Sequence, residues 1–357
     1  MSWALIYTKN FKASDYRDKL YAVLNFADRT AHPDLQPDYE CPLEEVYLSY
    51  ATKLIEQSDY PILLHIAGIG LQKSLLTLPS WVPDFSPGPF SVHVTGCIRK
   101  KVFEASGTLP VNTVSIDPSL KTLSFKGVQI DTIGLIFRQP SPDDLWGRGS
   151  SKENGNRWNP FLKAARKVLF PGREYYESFV KFINDIKVFL NTSHASSHSR
   201  SFESKETLCY TLIGDYPTGE ATVGSDLQEA YNAWYSSYRE LAGHHTIKSF
   251  FASALRNREI YGQIQKFEDL RAASVNDSPI FGTTTKRLLG FGPEGMLPGD
   301  ILCIILGAHT PFLLRPDTDC KEDQSGKRWK LVGPCFVHGL MYGEGLSMGE
   351  PKEFVVT

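Results

Sequence analysis

Residues 300–315, DILCIILGAHTPFLLR, decide the fold class. An apolar run ends at Gly307, Thr310-Pro311 breaks the chain, and a second short apolar run stops at Arg315. Runs this brief between Gly and Pro signals read as two strands, Asp300–Gly307 and Phe312–Arg315. The same texture extends outward. Ile280–Leu289, Arg328–Val332, Cys335–Met341 and Glu353–Val356 read as strands on either side. Toward the start of the chain, Ser91–Ile98 is another candidate. Leu123 and Phe125 alternate with polar residues, Gly127 interrupts, and Val128, Ile130 and Ile133 resume. A glycine at such a phase shift points to a bulge or a corner.

Between these strand regions the period changes. Tyr176, Phe179, Ile183, Ile186 and Leu190 form one helical stripe, and Leu227, Ala230, Tyr231, Trp234, Tyr238 and Leu241 form another. The serine-rich stretch 191–206 between them reads as a mobile connection, and 140–160 as a long polar loop. Near the start, Asp15–Ala27 reads as a short helix. Apolar residues at 46, 47, 50, 51, 54 and 55 mark one face of a second. No regular βαβ alternation occurs, so a doubly wound sheet is not expected. The expected fold is α+β: an antiparallel, barrel-like β assembly with a helical layer from the middle of the chain. It is read as a single domain over 1–357, with a helical N-terminal part (1–75), a first β block (78–139), a helical part (160–275) and a second β block (279–357).

Composition narrows the function. With 38 Lys and Arg against 40 Asp and Glu, the net charge is −2, and no basic surplus points to nucleic acid. No stretch approaches the roughly 20 apolar residues of a membrane span. The apolar run in MSWALIYTKNFK is too short for a signal-peptide core, so the expected location is the cytoplasm. Six cysteines without a CxxC pair read as reduced, packed thiols. Asn191-Thr192-Ser193 spells a glycosylation acceptor, which has no meaning in that compartment.

Three motifs look chemical and fail on context. Gly290-Phe291-Gly292-Pro293-Glu294-Gly295 matches GxGxxG, but Pro293 and the following Met-Leu-Pro-Gly-Asp cannot open the long helix that cradles a pyrophosphate. Gly345-Leu346-Ser347-Met348-Gly349 matches GxSxG, but no histidine follows it. His194 and His198 sit in the serine-rich stretch, and His244-His245 are adjacent with no cysteine near, so neither pair reads as a metal site. No cofactor and no metal are expected. The 12% aromatic content is first a core, and it permits an apolar small-molecule cavity.

Two blocks of the sequence carry a family likeness. The first runs through Asp15-Tyr16-Arg17-Asp18-Lys19-Leu20-Tyr21-Ala22-Val23-Leu24, Pro37-Asp38-Tyr39 and Val46-Tyr47. It ends at Leu78-Pro79-Ser80-Trp81-Val82-Pro83-Asp84-Phe85. The second runs from Phe281-Gly282-Thr283 through Leu289-Gly290-Phe291-Gly292-Pro293, Pro298-Gly299-Asp300 and Pro311–Pro316. It closes with Leu331-Val332-Gly333 and Val337–Glu344. In these blocks the chain resembles the fungal heterokaryon-incompatibility family, downstream of its cell-death signalling module. That module's signatures do not occur, and only fourteen residues precede Asp15, so the module itself is not expected here. Two departures stand out: Tyr342 interrupts the family's "MdGE", and Pro334 and Phe336 replace an acid and a tyrosine.

Chains of this kind also look like the stand-alone hetero-Diels–Alderases of tropolone–sesquiterpene biosynthesis. That resemblance implies a pericyclase joining a tropolone o-quinone methide to a humulene-type alkene in fungal secondary metabolism. Such a cycloaddition needs positioning and one or two hydrogen-bond donors, without a nucleophile or a metal. The candidate donors are His338 and Tyr342, which would share one face of a strand. Trp81, Lys286 and Arg315 are candidate substrate contacts. For Trp81 and Arg315 a structural role, a buried ring and a satisfied hydrogen-bond network, stands beside the functional one. The expected partners are apolar polyketide or terpene substrates, with a homodimer left open. The competing class is a non-catalytic interaction or regulatory protein from an incompatibility locus. A third is another pathway enzyme such as a dehydratase or isomerase.

Overall fold

The computed structural model describes residues 4–5, 8, 11–24, 35–57, 62–71, 74–86, 103–107, 114–140, 173–192, 204–214, 224–243, 258–274, 278–318 and 327–357. The chain divides into two compact units. A sheet unit is built from Met1–Ile136 and Phe281–Thr357, and a helical unit from Phe137–Ile280. The Ser91–Ile98 strand, both histidine pairs, Cys97, Cys320 and most of the 140–160 and 191–206 stretches lie outside the described residues.

In the sheet unit, helices α1 (Asp18–Leu24) and α2 (Leu43–Glu56) precede a 3-10 turn at Ile62–Ile66. The α2 face read from the sequence, at 46, 47, 50, 51, 54 and 55, is the buried face. Strands β1 (Ser115–Asp117) and β2 (Thr122–Phe137) follow. After the helical unit come β3 (Ile280–Thr283), β4 (Leu289–Phe291), β5 (Ile301–Ile305), β6 (Phe312–Pro316), β7 (Arg328–Pro334), β8 (Phe336–Val337) and β9 (Pro351–Val356). The strand order is β5-β6-β7-β9-β2-β3-β4-β8, with β1 on β2. β2 is long enough to serve two partners. Leu123–Val128 pairs with β9, and Gly127–Thr132 pairs with β5. Ladders between β2 and the 280–357 strands therefore join the two ends of the sequence in one α+β sheet.

Three expectations are corrected here. The sheet is not wholly antiparallel, because β7 and β9 pair in parallel at Arg328 with Val355 and Trp329 with Val356. The irregularity in β2 lies between Gln129 and Asp131, beyond Gly127; at Gly127 itself a Cβ would come within 2.8 Å of the Ile304 carbonyl oxygen. The single strand read over Ile280–Leu289 is a hairpin. Its turn is organised by the Asp131 carboxylate, which accepts the backbone N–H groups of Thr285 (3.1 Å) and Lys286 (2.6 Å) and the Thr284 hydroxyl (3.1 Å). Arg287 then takes a positive φ of 57°.

The core of this unit is apolar and contiguous. Val128, Ile130 and Ile133 of β2 meet Phe281, Leu302, Ile304, Leu313, Val332 and Val337. Strands buried on both faces read as continuous apolar runs, which is why 301–306 does not alternate. Removing such side chains from water supplies most of the driving force, roughly 25 cal/mol per Å² of apolar surface. Cys303 and Cys335 are buried free thiols whose pKa burial pushes up; Cys41 and Cys209 are also free.

The helical unit holds α3 (Arg173–Asn191), α4 (Ser204–Ile213), α5 (Gly224–Gly243) and α6 (Arg258–Ser274). The α3 stripe is buried at Tyr176, Phe179, Ile183, Ile186 and Leu190. That of α5 is buried at Leu227, Ala230, Tyr231, Trp234 and Leu241. The two stripes meet through rings, with Phe179 edge-on to Trp234 at 5.6 Å. Trp234 donates its indole N–H to Glu268 of α6 (2.6 Å), and Arg271 closes on the same carboxylate (2.6 Å). Burial raises the Glu268 carboxyl, but its bonds to Arg271 and Trp234 hold it below the usual range.

Candidate functional site

The segment Pro79–Asp84 carries the most specific motif and places Trp81. Two prolines exclude a helix, so the backbone is free to tie distant parts of the sheet unit together. Ser80 donates to the Thr357 carbonyl from both its N–H (2.9 Å) and its hydroxyl, and the hydroxyl accepts the Leu331 N–H (2.8 Å). Trp81 is fully buried and donates its ring N–H to the Lys121 carbonyl (3.0 Å). Asp84 accepts the N–H groups of Ser74 (2.7 Å), Leu75 (2.8 Å) and Ser86 (2.9 Å). Lys19 donates to the neighbouring Phe85 carbonyl (2.7 Å). The motif is a clasp, and Trp81 is its buried pin.

Arg315 ends β6. It holds Asp300, 1% exposed, by two bonds and also reaches the Gly295 carbonyl (2.9 Å). This carboxylate also accepts the Leu297 N–H (2.7 Å). The GxGxxG match lies in the same region and is explained by packing. A Cβ on Gly290 would come within 2.2 Å of the Phe336 carbonyl, and one on Gly295 within 2.8 Å of Gly70 Cα. These glycines let backbones approach each other. No helix follows them, so no amide cradle for a phosphate is formed.

Lys286 is exposed on the β3–β4 turn, with its backbone N–H on Asp131. His338 and Tyr342 are not on a strand as expected. β8 ends at Val337, and the chain turns twice, at Gly339 (φ 82°) and Gly343 (φ 94°), which only glycine adopts without strain. His338 is half-buried beside β4, its N–H on the Leu289 carbonyl (3.2 Å). Tyr342 is 52% exposed, and its backbone N–H donates to the Glu344 carboxylate (2.7 Å). Its ring stands edge-on to Phe103 (5.9 Å). Phe103 tilts against Phe336 (5.8 Å), which stacks on Phe291 (5.1 Å). Of the residues that depart from the family pattern, Phe336 and Tyr342 belong to one aromatic file, with Phe336 in its interior and Tyr342 at its outer end.

The five residues are not gathered. Trp81 belongs to the clasp, Arg315 to the Asp300 pair, and Lys286 to a hairpin turn; His338 and Tyr342 share one turn region. One histidine the sequence reading passed over is fully buried. His65 lies between the Ile62 carbonyl (3.2 Å) and the Thr310 hydroxyl (3.1 Å), edge-on to Phe312. Burial, helped by His309, pushes its pKa down to about 3, so it stays neutral at physiological pH. Among the described residues, no cluster of three or more His, Cys, Asp or Glu is placed to hold a metal ion, and no helix is long and apolar enough to cross a membrane.

The fold and these side chains define an α+β protein with a clasped sheet unit and a helical unit. The chain is similar to heterokaryon incompatibility protein 6, OR allele, of Neurospora crassa, at 22% identity over 384 aligned positions. The match takes in 96% of this chain and 50% of the relative, so the chain spans about half the length of the curated relative it matches. This similarity supports the family resemblance read from the two sequence blocks. No family model matches the chain, and no solved structure matches it.

Proposed function

We propose that the chain is a recognition domain of the heterokaryon-incompatibility type, acting by binding another protein rather than by transforming a substrate. The observation that carries this reading is the similarity to the Neurospora crassa protein along nearly the whole of this chain. Trp81 and Arg315 are engaged in holding the sheet unit together. The test is genetic. Strains of the source fungus differing only in natural sequence variants of this gene are paired with each other and with a deletion strain. Mixed-variant pairs are expected to fail as heterokaryons, whereas the deletion strain pairs with either. Stable heterokaryons from mixed variants, as frequent as from matched ones, would contradict the proposal.

A second reading is the cofactor-independent hetero-Diels–Alderase, and one observation favours it. Tyr342 places an exposed phenol at the end of an aromatic file, with His338 on the preceding turn. A phenol O–H on the quinone-methide oxygen would stabilise the charge that develops there in the transition state. Purified protein incubated with a tropolone quinone-methide precursor and humulene distinguishes the readings. Dihydropyran formed faster and with one stereochemistry supports the pericyclase; background rate and selectivity remove it.

A further inference from the structure

We draw no further inference here: the strongest candidate, the surface patch at the outer end of the aromatic file in the sheet unit, where the exposed Tyr342 ring stands on Phe103, carries nothing because nothing in the structure shows what covers it.

Discussion

Arg315 grips Asp300 with a two-pronged bond, Nε to Oδ1 at 2.7 Å and Nη2 to Oδ2 at 2.9 Å, and Asp300 is almost wholly shielded from water. Removing the guanidinium leaves a buried carboxylate with the Leu297 N–H as its remaining donor among these contacts. Breaking a buried pair from one side costs about 3–5 kcal/mol, and the quarter-exposed arginine places this case at the lower end. Arg315→Ala is therefore expected to lower stability by about 3 kcal/mol in urea unfolding. Arg315→Lys should restore only part of it, since an ammonium cannot reproduce the fork. Unchanged stability in Arg315→Ala would show that the pair does not hold this region.

Trp81 makes the corresponding case in the clasp. Trp81→Ala removes a fully buried ring and orphans the Lys121 carbonyl, so a loss of roughly 3–5 kcal/mol is expected. A stable Trp81→Ala protein would mean that the clasp tolerates a cavity, and that the ring serves something other than the fold.

The sequence was most legible where one element decides its own structure. The α2 face and the α3 and α5 stripes follow from helical period, and the burial of 301–305 follows from its unbroken apolar run. What it concealed depends on partners distant in the chain. Ile280–Phe291 is a hairpin because of Asp131, about 150 positions earlier. His338 and Tyr342 looked like strand neighbours because the turn-forming Gly339 and Gly343 were read as part of the strand and its end. For Arg315 a hydrogen-bond network was readable, but its partner Asp300 was not. The seat of the Lys187 ammonium of α3 over the Tyr235 ring of α5, 3.5 Å from its centre, depends on how two helices cross, which no local pattern encodes.

Asp131 offers a pH test. Burial raises its carboxyl, but the N–H groups of Lys286, Thr132 and Thr285 outweigh burial and hold it below the ordinary value. A depressed folded pKa contributes stability above the unfolded value near 4, which is lost as pH falls through the folded one. Asp131→Asn is expected to cost about 1–3 kcal/mol at pH 7. The gap from wild type should narrow below about pH 4 as the native carboxylate protonates. A gap that stays constant down to pH 2, followed by urea midpoints, would contradict this account of the turn.

The donors of the pericyclase reading can be tested separately. If that chemistry operates, Tyr342→Phe should slow it by about 10²–10³-fold, the usual loss on deleting a transition-state donor. His338→Ala should slow it less, because that ring is half-buried. Full rates in both variants would leave the reaction but dismiss these residues. The Tyr342→Phe protein is expected to stay folded, since Tyr342 is exposed and the substitution keeps the ring on Phe103.

The central claim, recognition rather than chemistry, is tested most directly by pairing strains that differ only at this gene. The account predicts that pairs carrying different natural variants do not form stable heterokaryons, that matched pairs do, and that a deletion strain is compatible with both. Mixed-variant heterokaryons as frequent and as vigorous as matched ones would contradict it.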